Sequence, residues 1–304
     1  MKVFIAGATG AIGKPLVRIL KERGHEVFGM TRSQEKSDSL KDQGAVPIVM
    51  DAFDFESVNS ALDLIKPDVV IEQLTSLPKN YTPEEMQAAD ALNTRLRLEG
   101  GANLQRAAEA SGAELYMVQS VSFFSAPGDG LADEDAPFIS SATPFIQGAA
   151  STFRQMENRV LNSSALRGIA LRYGMFYGPG TWYENQGSVY ELVRAQGMPV
   201  VGDGRGVWSF VHVDDAAKAT VSAMEKGDSG VYNITDDDPS PMSVWLPSLA
   251  SYLGAPEPPY LDEETVGDPD FIYYGTKLRG ASNAKAKNEL GFSPRQLEWL
   301  KETD

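Results

Sequence analysis

The chain has 304 residues, 42% of them hydrophobic, enough to bury one large core or one core with a smaller lobe attached. Its 42 acidic against 27 basic side chains give a formal charge of -15, which repels phosphate backbones and anionic lipid headgroups and argues against nucleic-acid or membrane partners. Cysteine is absent and the two histidines, His25 and His212, stand far apart, which rules out disulfides and thiolate nucleophiles and leaves no expectation of a metal site.

The apolar stretch at residues 3–12 is interrupted by glycines and leads straight into helical pattern, so it reads as the start of a domain and not as a signal peptide. No run approaches the roughly 20 apolar residues of a membrane span, and a cytoplasmic protein is expected. Strand patterns at residues 3–6, 26–30, 46–50, 68–71, 114–119 and 168–171 alternate with helical patterns at 13–23, 34–43, 55–65, 84–111 and 149–162. That alternation predicts an α/β protein with a Rossmann-type doubly wound parallel sheet and a ligand at the carboxyl ends of its strands. After Tyr173 the chain becomes rich in Gly, Pro and aromatic residues, predicting loops and a small C-terminal substrate-binding lobe. The expected division gives residues 1–175 and about 205–226 to a dinucleotide-binding domain, and about 176–204 and 227–304 to the lobe. A Pro-rich stretch at 236–259 feeds that lobe.

The segment GATGAIG, containing Gly7, Thr9, Gly10, Ala11, Ile12 and Gly13, follows the first strand and opens the first helix. Glycines so placed permit a tight turn, close approach of backbone to a pyrophosphate, and close helix packing. The second strand ends Thr31-Arg32-Ser33. Thr31 stands where NAD-binding versions place an acid, and Arg32 suits a 2′-phosphate, so NADP(H) is the expected cofactor. Lys36 reads equally as a solvated residue. Asp51, at the end of the third strand, is expected either to bond the adenine amino group or to cap the following helix.

With these motifs in place the chain resembles the extended short-chain dehydrogenase/reductase family, in its NAD-dependent epimerase/dehydratase branch. The marks are GATGAIG, Asn93 in the long helix, Gln119-Ser120-Val121-Ser122, LRYGMFYGPG at 171–180, WSFVHVDDAA at 208–217 and NAKAKNELGFSPR near the end. The resemblance implies that Ala52, Gln73, Leu74, Thr75, Asn93, Gln119, Tyr173, Gly174 and Phe176 complete the cofactor groove, and that Ser120 orients the reacting group. The family's usual chemistry also uses a Tyr and a Lys four residues later, on the helix before the sixth strand. Aligning Glu157 with that helix's glutamate puts Ala149 and Phe153 in their places. No tyrosine lies between Tyr116 and Tyr173, and no lysine between Lys79 and Lys218.

Tyr173, Tyr177 or water is therefore the expected proton source, with aromatic packing as the alternative role of the two tyrosines. A Tyr-x-x-x-Lys string at Tyr273 and Lys277 reads as coincidence, although Tyr273 and Tyr274 stay among the substrate contacts. Ser122, Phe123, Phe124, Trp182, Tyr183, Trp208 and Tyr273 are expected to line a pocket for an apolar or aromatic substrate, or else to be core. His212 is expected to bond a neighbouring loop, His25 to be exposed, and Asp214 and Asp215 to cap a helix. The acidic runs 133–135 and 236–238 are read as solvated charge. The expected function is an atypical NADPH-dependent oxidoreductase of a carbonyl, imine or activated alkene, working as a homodimer. A non-catalytic NADP(H) sensor and a nucleotide-sugar epimerase or dehydratase are the alternatives.

Overall fold

The computed structural model describes residues 1–301, so the last three residues of the expected lobe lie outside it. In chain order the first half contains β1 (Lys2–Ala6), α1 (Gly13–Glu22), β2 (Glu26–Thr31), α2 (Gln34–Asp42), β3 (Val46–Val49), α3 (Phe55–Ile65) and β4 (Val69–Glu72). It continues with α4 (Pro83–Arg95), a π-helical turn (Leu96–Gly100), α5 (Gly101–Ser111), β5 (Leu115–Val121), α6 (Pro144–Leu161) and β6 (Arg167–Tyr173). The predicted long helix at 84–111 is thus one helical run with a π turn inside it. The helix expected from 149 starts five residues earlier, where Thr143 caps the N–H of Ile146 and Pro144 supplies a preset φ.

The second half is β7 (Met175–Tyr177), α7 (Ser188–Arg194), β8 (Val200–Val201), β9 (Val207–Trp208), β10 (Phe210–His212), α8 (Val213–Lys226) and β11 (Gly230–Ile234). After these come β12 (Ser240–Pro241), α9 (Met242–Tyr252), β13 (Tyr260–Leu261), α10 (Glu263–Val266) and α11 (Pro269–Thr276). Where loops were expected after Tyr173, short ribbons pair β7 with β10, β9 with β12 and β8 with β13. Strands of two or three residues cannot display the alternation by which a sequence reveals them.

Seven parallel strands form the main sheet in the order β11-β6-β5-β4-β1-β2-β3. Residues 230–234, expected in the lobe, are its edge strand: Gly230 to Ile234 pair in register with Ile169 to Tyr173. Alternation along β1 sends Val3 and Ile5 to one face and Phe4 and Ala6 to the other. The first face packs under α1 and α8, the second under α3, α5 and α6, giving two separate cores. The order reverses at β1, whose neighbours are β2 and β4, and there the outgoing loops part to leave a crevice at the strands' carboxyl ends.

Candidate active site

At that crevice the loop from Gly7 to Gly13 is built so that only glycine fits at two points. Gly7 has φ 91°, and a Cβ on it would lie 2.3 Å from the Gln73 carbonyl oxygen. A Cβ on Gly13 would lie 2.3 Å from the Gly7 carbonyl oxygen. Gly10 is exposed at the tip and Ala11 partly so. Among the described residues no acceptor takes the N–H groups of Ala11, Ile12 or Gly13, and no side chain caps α1. Free N–H groups at a helix N-terminus form an anion cradle, so the chain fits a pyrophosphate here.

Thr31 is buried at the end of β2, its Oγ1 accepting from the Ser33 N–H at 3.2 Å, while Ser33 caps α2. Arg32 is exposed between them and has no carboxylate within 4.0 Å among the described residues, which leaves its guanidinium free for an incoming anion. Asp51 is exposed and accepts from the Phe53 N–H at 3.0 Å. The cap of α3 is Asp54, three residues on, so the capping alternative for Asp51 is corrected. Ala52 is buried against Gly100, and its carbonyl accepts from Asn103. Leu74, Thr75, Gln119 and Phe176 are partly exposed at strand ends around the crevice. Asn93 does not face it: its amide clamps the loop after β4, accepting from the Ser76 N–H at 2.7 Å and donating to the Ser76 carbonyl at 3.1 Å. Gly174 lets the backbone of Ser209 and Phe210 approach closely, since a Cβ there would lie 2.6 Å from the Ser209 carbonyl oxygen.

The three groups expected to handle the reacting atoms are withdrawn from the crevice. Ser120 is fully buried and donates to Glu157 Oε1 at 2.6 Å. Glu157 in turn holds Arg172 through two bonds of 2.8 Å, and Arg172 lies over the Phe138 ring at 4.5 Å. Tyr173 is 1% exposed, its hydroxyl 2.7 Å from Thr220 Oγ1 and accepting from Gln73 Nε2 at 3.3 Å. Burial pushes its pKa up to about 12. Tyr177 is also 1% exposed, wedged edge-on between His212 and Trp299, and its hydroxyl has no partner among the described residues. Burial, with Asp236 nearby, raises its pKa further still. Ser122 Oγ is spent on the Tyr173 carbonyl at 3.2 Å.

Helix α6 carries neither tyrosine nor lysine. Ala149 is partly buried, and Phe153 packs against Phe124 with the Arg97 guanidinium over its ring at 4.6 Å. Arg97 projects from the π turn, has no ion-pair partner among the described residues, and burial lowers its pKa to about 10. A cation placed by a π turn, with no local signature, was not foreseen from the sequence.

Most of the expected substrate residues are core. Trp208, Tyr183, Phe210, Trp245 and Trp299 form one aromatic cluster, and the Trp208 indole donates to the Tyr274 carbonyl at 2.9 Å. Trp182 packs against Tyr81 at a tilt of 52° and donates to the Pro78 carbonyl at 3.1 Å. Phe124 is buried and Phe123 partly exposed. His212, not Asp214 or Asp215, caps α8, its Nδ1 accepting from the Asp214 N–H at 3.1 Å. Asp215 instead binds Arg295 and Lys218. His25 is half-buried.

Within the run at 236–238, Asp237 is exposed and pairs with Lys287, but Asp236 is not solvated charge. Asp236 is 2% exposed, one carboxylate oxygen lacks a partner among the described residues, and burial pushes its pKa up to about 8. In the run at 133–135, Asp133 and Asp135 are exposed, and Glu134 is half-buried and accepts from the Asn233 N–H at 2.8 Å. A carboxyl whose folded pKa exceeds its unfolded value binds more protons when folded, so its stabilisation is complete below about pH 4 and is lost towards about pH 8. Asp236→Asn is expected to gain on the wild type over that window by up to about 1.4 kcal/mol per pH unit. Urea denaturation midpoints of both proteins across the window check this, and parallel curves would refute the burial of an ionisable Asp236.

Glycine loop, sheet order and crevice define a dinucleotide-binding protein of the Rossmann type. The chain belongs to the NAD dependent epimerase/dehydratase family, whose model matches residues 3–235, and so stands among oxidoreductases of the short-chain dehydrogenase/reductase type. It is 40% identical over 308 residues to a 3-diazoavenalumate denitrifying reductase from Streptomyces sp, covering 98% of each chain. It is 27% identical over 268 residues to a 2-alkyl-3-oxoalkanoate reductase from Stenotrophomonas maltophilia, covering 84% of this chain and 77% of that one. Among solved structures it resembles the UDP-glucose 4-epimerase of Thermotoga maritima, with TM-score 0.77, 21% identity and coverage of 98% and 95%. No helix among the described residues is long and apolar enough to cross a membrane.

Proposed function

We propose that the chain is an NADPH-dependent reductase whose acceptor needs no proton from the protein, foremost the diazo group of a small aromatic acid. The observation that carries this reading is the missing acid: α6 has no tyrosine or lysine, Ser120 is bound to Glu157, and the Tyr173 and Tyr177 hydroxyls are buried. A carbonyl or imine taking up hydride develops negative charge that must be protonated or stabilised. On an aromatic ring the diazo group takes the diazonium form, a cation whose ring carbon is already electron-poor. Hydride forms its C–H bond while the C–N electron pair leaves with dinitrogen, and no proton is exchanged.

The name of the Streptomyces relative, a diazo compound's denitrifying reductase, supports the same acceptor. The reduced nicotinamide, when bound, supplies the hydride. The chain's own part is positional: N–H groups of Ala11, Ile12 and Gly13 toward the pyrophosphate, and Arg32 toward the 2′-phosphate. Asp51 would serve the adenine, and Leu74, Thr75, Gln119 and Phe176 would line the crevice. A homodimer through α4, α5 and α6 is also proposed, with Leu92 39% exposed on α4, and sedimentation equilibrium tests it.

The test is NADPH oxidation against matched aromatic carboxylates bearing diazo, ketone, imine or enone groups. Fast oxidation with the diazo member alone is expected. Preference for the ketone would overturn the reading, and NADPH binding without oxidation by any member would replace it with a non-catalytic sensor. Tyr173→Phe and Tyr177→Phe are each expected to keep kcat within about threefold of wild type, because each hydroxyl removed contributes at most a buried hydrogen bond. A hundredfold loss in either would restore that tyrosine as the proton donor.

A further inference from the structure

A cavity of about 590 Å³ opens between the loop that leads into α6 and the face of α11, at the end of the sheet where the strands' carboxyl termini lie. Its walls are mostly apolar, with Pro127, Ile139, Ala142, Pro269 and Ile272 among them. The size suits a small organic ligand. Two further wall residues are Tyr273 and Lys277, the pair that the sequence offered only as a coincidental string. Four residues apart on and just after α11, they fall on one helix face.

Neither side chain is spent elsewhere. The Tyr273 ring is buried and its hydroxyl makes no hydrogen bond among the described residues. Lys277 is exposed with no carboxylate within 4.0 Å among them. In a chain of formal charge -15, an anion approaching this cavity meets a field that opposes it, so a local cation decides whether it is held. Glu263 also lines the wall and works against an anion there. The loop is tied to α11 across the cavity mouth, where the Thr143 hydroxyl donates to Asp270.

We propose that this cavity is a binding site for an aromatic carboxylate, with the ring against the apolar wall and the carboxylate on the Lys277 ammonium and the Tyr273 hydroxyl. The proposal rests on the reductase reading for its role, as the substrate's tail site, but not for its chemistry. A charge-assisted pair with a phenolic hydrogen bond beside it is the contact that separates an acid from its ester.

Calorimetric titration of the full chain with 4-hydroxycinnamate and with its methyl ester tests it. Expected are tighter binding of the acid, a loss of roughly tenfold for the acid in Lys277→Gln with no change for the ester, and a gain for the acid in Glu263→Gln. Tyr273→Phe is expected to weaken the acid by a smaller factor. Equal binding of acid and ester, or an unchanged acid affinity in Lys277→Gln, would overturn the proposal. The two readings fail separately. Turnover of a diazo carboxylate with KM unaltered in Lys277→Gln sinks the tail site and spares the reductase. Lys277-dependent binding of the acid without NADPH oxidation by any acceptor supports the site and sinks the reductase.

Discussion

Glu157→Ala is expected to cost about 3 to 5 kcal/mol of folding stability, a large share of what a domain of this size commonly has. Glu157 and Arg172 are 4% and 6% exposed and meet through two bonds of 2.8 Å. Removing the carboxylate leaves a guanidinium in the core with only the Glu134 and Ala136 carbonyls, at 3.2 and 3.3 Å, to solvate it. The penalty is the desolvation of that unpaired cation, which exceeds what the intact pair contributes. Ser120→Ala removes one bond to the same carboxylate and is expected to cost about 1.5 to 3 kcal/mol, with kcat unchanged in the protein that folds. Denaturant unfolding of both variants beside the wild type checks the pair. A Glu157→Ala protein as stable as wild type, or a Ser120→Ala protein that is stable but slow, would return Ser120 to the reacting atoms.

Arg32→Ala is expected to weaken NADPH by about 1.5 to 3 kcal/mol, roughly tenfold to a hundredfold, and NADH by little. The side chain is exposed and unpaired beside a buried Thr31 and the capped start of α2, so its loss perturbs no packing. What it removes is a charge-assisted contact that only the 2′-phosphate makes. Because the contact is solvent-exposed, the NADPH preference is also expected to shrink as salt is raised. Calorimetric titration with both cofactors decides the matter, and equal losses for the two would contradict the assignment.

The sheet and the glycine loop were legible because each is a local pattern: alternating apolar runs, glycines at fixed offsets, an exposed Arg32 after Thr31. Ser120 was misleading for the opposite reason. Its sequence neighbourhood matches the family's serine, but its state is set by Glu157 and Arg172, which lie 37 and 52 positions away along the chain and meet it only when β5, β6 and α6 pack. Asp236 looked solvated among three consecutive acids, yet its backbone N–H is held by the Phe210 carbonyl at 2.7 Å and its carboxyl is buried near Tyr177. His212, and not the acids after it, caps α8 through a local contact, because its Nδ1 takes the Asp214 N–H while Asp215 is drawn off by Arg295, 80 positions away. Long-range packing also placed Arg97 over Phe153, a contact between a π turn and a helix 56 residues later that no spacing rule anticipates.

The most direct measurement supplies the protein with NADPH deuterated at the transferable C4 position and a diazo aromatic carboxylate, then follows product by mass spectrometry and gas by headspace analysis. Expected are one dinitrogen released per NADPH oxidised and one deuterium on the ring carbon that carried nitrogen, with the same outcome for Tyr173→Phe and Tyr177→Phe. Solvent hydrogen at that carbon, or intact diazo substrate beside a readily reduced ketone, would contradict a reductase that works without a proton donor.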